Sequence, residues 1–220
     1  MHQSMAKVRG NEKTLDSYTV KAINESIRPG DCVFMRSPNP SKPPYIAKVD
    51  KIVSDDNGSN VKVHIRWYYR PEESKDGKQP FHGSTEVFIS DHRDVQSPDT
   101  IEGKCKVHTF KSYTSLDDIG NDDFFCRFEY HSSTGDFTPN SVAVYCTCEM
   151  PYNPDQFMIQ CDGCTDWFHP DCLKMTVDEA KTIEHLFCRS CSSEEQRILQ
   201  NPRANSRNST MKVETKRRRR

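Results

Sequence analysis

The chain has 220 residues, with 31 Lys and Arg against 32 Asp and Glu, and 34% of its residues are hydrophobic. It carries no apolar run of about twenty residues and no short apolar leader, which speaks against a bilayer-spanning helix or a secretory signal. Ten cysteines in such a chain point to metal chemistry rather than to the disulfide framework of a small secreted domain.

In chain order, Met1 to Ser4 read as a tag remnant ahead of Met5, and residues 1–20 as a flexible N-terminus. Residues 21–140 read as one domain. From about Ile27 to Phe137, short apolar runs alternate with turn clusters such as Arg28-Pro29-Gly30-Asp31 and Ser54-Asp55-Asp56-Asn57-Gly58-Ser59. That rhythm predicts many short strands and a mainly β fold, a barrel or sandwich. Val61, Val63, Ile65, Trp67 and Tyr69 fall on one face of a predicted strand, with Lys62, His64, Arg66 and Tyr68 on the other. Phe124, Cys126, Phe128 and Tyr130 are expected to oppose Phe125, Arg127 and Glu129 in the same way. Cys32, Cys105 and Cys126 sit singly in apolar stretches and read as core thiols.

Residues 143–193 are of another kind. They hold Cys146-x-Cys148, Cys161-x2-Cys164, His169-x2-Cys172 and Cys188-x2-Cys191. Close-set pairs of soft ligands let short loops close a tetrahedral site, so eight ligands imply two structural Zn2+ with no open position for water activation. A module this small holds too little core to fold unaided, and each metal supplies on the order of 10 kcal/mol. Thr176-Val177-Asp178-Glu179 has the spacing of a capping box opening a short helix. Tyr145, Tyr152, Met158 and Trp167 are placed where the loops can form an aromatic-rich pocket, whose ring faces attract a quaternary ammonium. Phe157-Met158-Ile159-Gln160 has strand character, to which an extended peptide can add. Glu149, Asp155, Asp162 and Asp166 around it suit a basic peptide.

From residue 194 the chain reads as a disordered basic tail. Nine Lys and Arg stand against three Glu after Cys191, leaving the remainder at −7. An acidic body suits a basic partner and disfavours DNA. The run Lys216 to Arg220 reads as a nuclear-import signal, and as the one segment suited to touch DNA.

The ligand order, histidine fifth among eight, resembles a PHD finger, whereas a RING finger usually has histidine fourth. The resemblance implies a cross-braced module, with Cys146, Cys148, His169 and Cys172 on one zinc and Cys161, Cys164, Cys188 and Cys191 on the other. Leu186 departs from the family pattern, which usually has an aromatic there. The resemblance further implies that Tyr145, Tyr152, Met158 and Trp167 cage di- or trimethyl-lysine at position 4 of histone H3. Gly30-Asp31-Cys32-Val33, Trp67-Tyr68-Tyr69-Arg70-Pro71-Glu72-Glu73, Glu86-Val87-Phe88-Ile89-Ser90-Asp91-His92 and Ile101-Glu102-Gly103-Lys104-Cys105 are similar to a bromo-adjacent homology (BAH) domain. A BAH domain followed directly by a PHD finger resembles the plant BAH-PHD histone readers. That likeness implies a distorted β-barrel whose cage of Tyr45, Trp67 and Tyr69 binds trimethyl-lysine at position 27 of histone H3. His92 and Asp94 would contact the peptide. The expected protein is a nuclear, non-enzymatic chromatin reader acting in floral repression with corepressor partners and no membrane. The rival classes are a RING-like ubiquitin ligase and a DNA-binding zinc protein, and the latter would need basic residues lining a domain face.

Overall fold

The computed structural model describes residues 12–192, which divide into two units between Ser141 and Val142. The expectations for Met1 to Ser4 and for the basic tail lie outside the described residues.

The first unit carries β1 (Lys13–Leu15), β2 (Tyr18–Val20), β3 (Glu25–Ile27), β4 (Cys32–Met35), β5 (Tyr45–Ser54) and β6 (Lys62–Tyr69). After a long loop come β7 (Phe88–Gln96), β8 (Ile101–Thr109), the single turn α1 (Phe110–Tyr113), β9 (Asp123–Cys126), β10 (Glu129–Tyr130) and β11 (Phe137–Thr138). The main sheet runs β11-β10-β7-β6-β5-β4-β8-β9, with β1 paired to β5. Its last strand, β9, also bridges Glu86 just ahead of β7, so the sheet curls back on itself into a distorted barrel.

Period-2 alternation explains which face is inside. Val33, Ala47, Val49, Ile52, Val63 and Ile65 are all 0% exposed and form one cluster with Val20, Ile27, Met35 and Ile101, while Lys48, Lys51 and Lys62 on the alternate positions face solvent. Each such buried aliphatic contributes about 1.5–3 kcal/mol relative to exposure. The reversal between β3 and β4 needs Gly30, whose φ of 97° suits no β-branched residue, and Asp31 accepts the Arg28 amide at 2.9 Å to hold it.

Two expectations are corrected. The flexible stretch does not extend to residue 20, because Lys13, Thr14 and Leu15 pair with Ser54, Val53 and Ile52, and β2 pairs with β3. The single alternating strand across 124–130 is broken into β9 and β10, with Phe124 and Phe125 both buried. The cause is Arg127, which turns inward. Its Nε lies 2.7 Å from Glu86 Oε1, that carboxylate is wholly buried, and the guanidinium sits 4.7 Å from the Phe110 ring centroid and 5.2 Å from that of Phe128. Cys105 is buried, and Cys32 and Cys126 are half-buried. Burial pushes all three thiols up, Cys105 to about 12.

The second unit is built from two short hairpins. β12 (Val144–Tyr145) pairs with β13 (Met150–Pro151), and β14 (Ile159–Gln160) pairs with β15 (Trp167–Phe168). Helix α2 (Val177–Thr182) starts at the expected capping box: Thr176 Oγ1 accepts the Glu179 amide at 3.2 Å, and Glu179 Oε2 accepts the Thr176 amide at 2.7 Å. Leu186 is buried, so an aliphatic plug stands where the PHD pattern usually has an aromatic.

Candidate functional sites

In the barrel, β5 begins where β6 ends, which sets Tyr45 beside Trp67 with ring centroids 5.9 Å apart and edges to faces. Arg70 Nη2 donates to Pro44 O at 3.0 Å and ties the two strand ends together. Opposite Trp67 the register with β7 slips between Arg66 and Tyr68, so that three residues of β7, Ser90, Asp91 and His92, stand against one of β6. Such a bulge re-aims side chains. Ser90 Oγ donates to Trp67 O at 2.8 Å and accepts the His92 amide at 3.2 Å, turning the imidazole toward the rings. His92 Nδ1 then lies 3.0 Å from the Tyr69 hydroxyl, and its ring centroid is 6.4 Å from that of Trp67. A hollow of about 380 Å³ results, lined by Tyr45, Trp67, Tyr68, Tyr69, Glu73, His92 and Asp94.

All five residues expected here from the sequence are brought together. Asp94 is held below the usual carboxylate range: burial opposes this, but hydrogen bonds from Gln96, Val95 and Trp67 outweigh it. The Tyr69 phenol is pushed up, by burial first and then by Tyr130, Glu73 and Asp91, and stays neutral. Tyr68 and Glu73 were not foreseen. Tyr68 belongs by alternation to the other face, where it packs with Ile46, Cys105 and Phe124. Glu73 arrives through the tight turn Pro71–Glu73, which it caps by accepting the Arg70 amide at 2.8 Å. The signal available was Pro71 opening a turn with a glutamate two residues on.

In the second unit, two groups of ligand atoms gather, each within 4.8 Å: Cys146, Cys148, His169 and Cys172, and Cys161, Cys164, Cys188 and Cys191. A Zn–S bond of about 2.3 Å gives tetrahedron edges of about 3.8 Å. Cys164 Sγ and Cys188 Sγ are 3.8 Å apart, and His169 presents Nδ1 at 3.4 Å from Cys148 Sγ. Backbone amides also point at sulfur, from His169 to Cys146 at 3.4 Å and from Cys188 to Cys161 at 3.2 Å. Against the pull of burial, these and neighbouring amides bring Cys146 down to about 6 and Cys161 to about 7, while burial and Cys146 push Cys172 up to about 12 and Cys188 pushes Cys191 up to about 12, so each cluster shares its protons unevenly among crowded sulfurs. Gly163 is obligatory, since a Cβ there would lie 2.7 Å from Cys191 Cβ. The donor set, spacing and cradle fit two zinc ions. Zinc supplies a scaffold here and leaves no ligand position for chemistry.

Pairing of Tyr145 with Met150 and of Gln160 with Trp167 brings the two hairpins' aromatics to one place. Tyr145, Tyr152, Met158 and Trp167 line a hollow of only about 10 Å³, with Tyr152 and Met158 buried. Among the four acids expected around a groove, Asp162 is spent internally, its Oδ2 accepting the Leu186 amide at 2.9 Å and lying 3.3 Å from His185 Nδ1. Asp166 Oδ1 accepts the Trp167 amide at 2.8 Å and so helps set that ring. Glu149 is exposed, at a positive φ of 52°, and Asp155 is exposed beside Asn153.

Comparison with known proteins agrees with both halves. The BAH domain family model matches residues 25–141, and the UBR7-like PHD finger model matches residues 140–201. Two Arabidopsis thaliana proteins match over most of the chain. Chromatin remodeling protein EBS is 58% identical over 190 residues, covering 86% of this chain and 81% of that protein. Chromatin remodeling protein SHL is 56% identical over 213 residues, covering 97% and 93%. The finger alone is 49% identical over 51 residues to the zebrafish (Danio rerio) lysine-specific demethylase phf2, covering 23% of this chain and 5% of that protein. A solved yeast Rsc2 BAH domain is 24% identical with a TM-score of 0.46, covering 57% of this chain and 53% of that one. Relatives matched along both domains are named as chromatin remodeling proteins, in line with a non-enzymatic chromatin reader. The chain belongs to the family of BAH-PHD chromatin proteins.

Proposed function

We propose that this protein reads two methyl-lysines on histone H3 tails. The barrel hollow takes trimethyl-lysine at position 27, with Tyr45, Trp67 and Tyr69 as the cage and His92 and Asp94 as peptide contacts. The finger takes di- or trimethyl-lysine at position 4 with Tyr145, Tyr152, Met158 and Trp167. Cys146, Cys148, His169 and Cys172 hold one zinc, and Cys161, Cys164, Cys188 and Cys191 the other.

The observation that carries this reading is the convergence of Tyr45, Trp67, Tyr69, His92 and Asp94 on one hollow. Ring faces present negative potential to a cation, each contributing about 0.5–2 kcal/mol, and methyl groups make that cation cheap to strip of water. The carboxylates of Asp94 and Glu73 add charge of the right sign. An acidic pocket of rings has no use for an anion or a neutral apolar ligand. In the finger, a peptide added as a strand beside β14 would run toward Trp167 on β15. The chromatin remodeling names of EBS and SHL support a nuclear role, and the likeness to plant BAH-PHD readers suggests repression of flowering through recruited partners.

The test is titration of the intact chain with histone H3 peptides unmodified, methylated at position 4, or methylated at position 27. Binding of both methylated forms and weak binding of the unmodified ones is expected. Equal affinity for all of them would sink the proposal.

A further inference from the structure

The solvent face of the sheet carries a feature that neither pocket uses. Lys48 on β5, Arg66 on β6 and Arg93 on β7 are direct cross-strand partners, forming one row of three cations. Directly opposed residues stand about 5 Å apart, and like charges so placed are destabilising. Along the same face, Lys51 is paired with His64, and Lys62 with Val53, extending the positive stripe over about 15 Å of strand. Three acids answer part of it: Asp50 lies 3.3 Å from Arg93, Glu129 lies 3.8 Å from Arg66, and Glu12 acts on His64. Lys48, Lys51 and Lys62 are exposed and have no ion-pair partner among the described residues. His64, between them, has its imidazole pushed below the usual value by burial and then by Lys51. Outside the tail the chain is at −7, so this stripe is a local concentration of positive charge set against an acidic body.

We propose that this face of β5, β6 and β7 is a docking surface for the phosphate backbone of duplex DNA. An exposed row of like charges that costs stability is repaid by a polyanion, and duplex DNA offers one negative charge per about 1.7 Å of axis. No base-reading element accompanies the lysines, so the contact is independent of sequence and positions the protein. Alternation along β6 puts Trp67 and Arg66 on opposite faces of one sheet. The methyl-lysine hollow and the basic stripe therefore do not compete, and a tail and the duplex it emerges from can be held at once. This goes beyond the two-pocket reading and does not depend on which methyl-lysine is read.

The experiment is anisotropy of a short fluorescent duplex of arbitrary sequence, titrated with the full chain across a salt series. Wild type is compared with Lys48→Gln/Lys51→Gln/Lys62→Gln, each also in a background where Lys216 and Arg217 to Arg220 are neutralised. The proposal expects the triple variant to bind about tenfold more weakly at low salt, with the log–log salt slope reduced by about three, in both backgrounds. The urea midpoint should be unchanged, which shows that the fold survives, and so should affinity for the methylated peptide that the wild type binds. Equal affinity and slope for wild type and triple variant would overturn the proposal. So would loss of the methylated peptide together with the duplex, which would contradict separate faces. Binding of a polyglutamate peptide through the same lysines, with no binding of duplex, would assign the face to an acidic protein and overturn it too.

Discussion

The barrel and the finger arrive at aromatic pockets by different physics. The barrel's hollow is the frayed end of a hydrophobic core: the face that buries Val63 and Ile65 continues to Trp67 and Tyr69, where the covering elements stop. It is roomy, at about 380 Å³, because no neighbouring side chain closes it. The finger has almost no core, and its pocket stands on loops that the ligand sets pin. Its four side chains nearly touch, leaving about 10 Å³. On this measure the finger's hollow has room for about one water, so a trimethylammonium head would need its rings to part, whereas the barrel's hollow would not. The barrel is thus built for a preformed fit and the finger for an adjusting one.

The strongest way to break this comparison is to remove zinc. Chelation, or Cys161→Ser, should unfold the finger outright, at a cost on the order of 10 kcal/mol per site, while the barrel stays folded. Proteolysis after chelation should then stop near Ser141 and leave a peptide-binding barrel. A barrel digested at the same rate would show that the two units share their stability.

Next in size is the ion pair inside the barrel. Arg127→Ala removes the counter-charge of the buried Glu86 carboxylate, which keeps the Gly83 amide at 3.0 Å, and should cost about 3–5 kcal/mol in urea unfolding, with the finger's zinc content unchanged. A smaller loss would mean that Glu86 finds water.

A pH effect follows from the same cluster. His82 is buried, its Nδ1 accepts the Gln79 amide at 3.0 Å, and burial followed by the Arg127 guanidinium brings it down to about 4. The unfolded chain gains this proton near the ordinary imidazole value of 6.5, before the folded one does. Barrel stability is therefore complete above about pH 6.5 and falls as pH drops toward 4, by at most about 3 kcal/mol. Following Trp67 fluorescence in a Trp167→Phe background isolates the barrel, and His82→Gln should flatten the profile in that window.

Smallest is the loss of a single ring. Tyr45→Ala should weaken the peptide methylated at position 27 by about tenfold, while Tyr145→Ala leaves that peptide untouched. Peptide titration reads both.

How much of this was legible in the sequence depended on how local the information was. The eight ligands were legible because metal geometry is written in spacings of two to five residues, and the capping box at Thr176 for the same reason. The strand faces of β6 were legible from alternation alone. Tyr45, Trp67 and Tyr69 came together in the structure as expected, but only family likeness had singled them out from core aromatics. Glu73 escaped notice because it enters the hollow from a turn after the strand. Arg127 broke a well-patterned strand because its partner, Glu86, lies 41 residues away. The stripe of Lys48, Arg66 and Arg93 needs strand register, which no local pattern gives.

The central claim is that two independent cages serve two tails. It is tested most directly by titrating Trp67→Ala and Trp167→Ala, in the intact chain, with peptides methylated at positions 27 and 4. The account predicts that Trp67→Ala loses the first peptide and keeps the second, and that Trp167→Ala does the reverse. Loss of both peptides by both variants would contradict it.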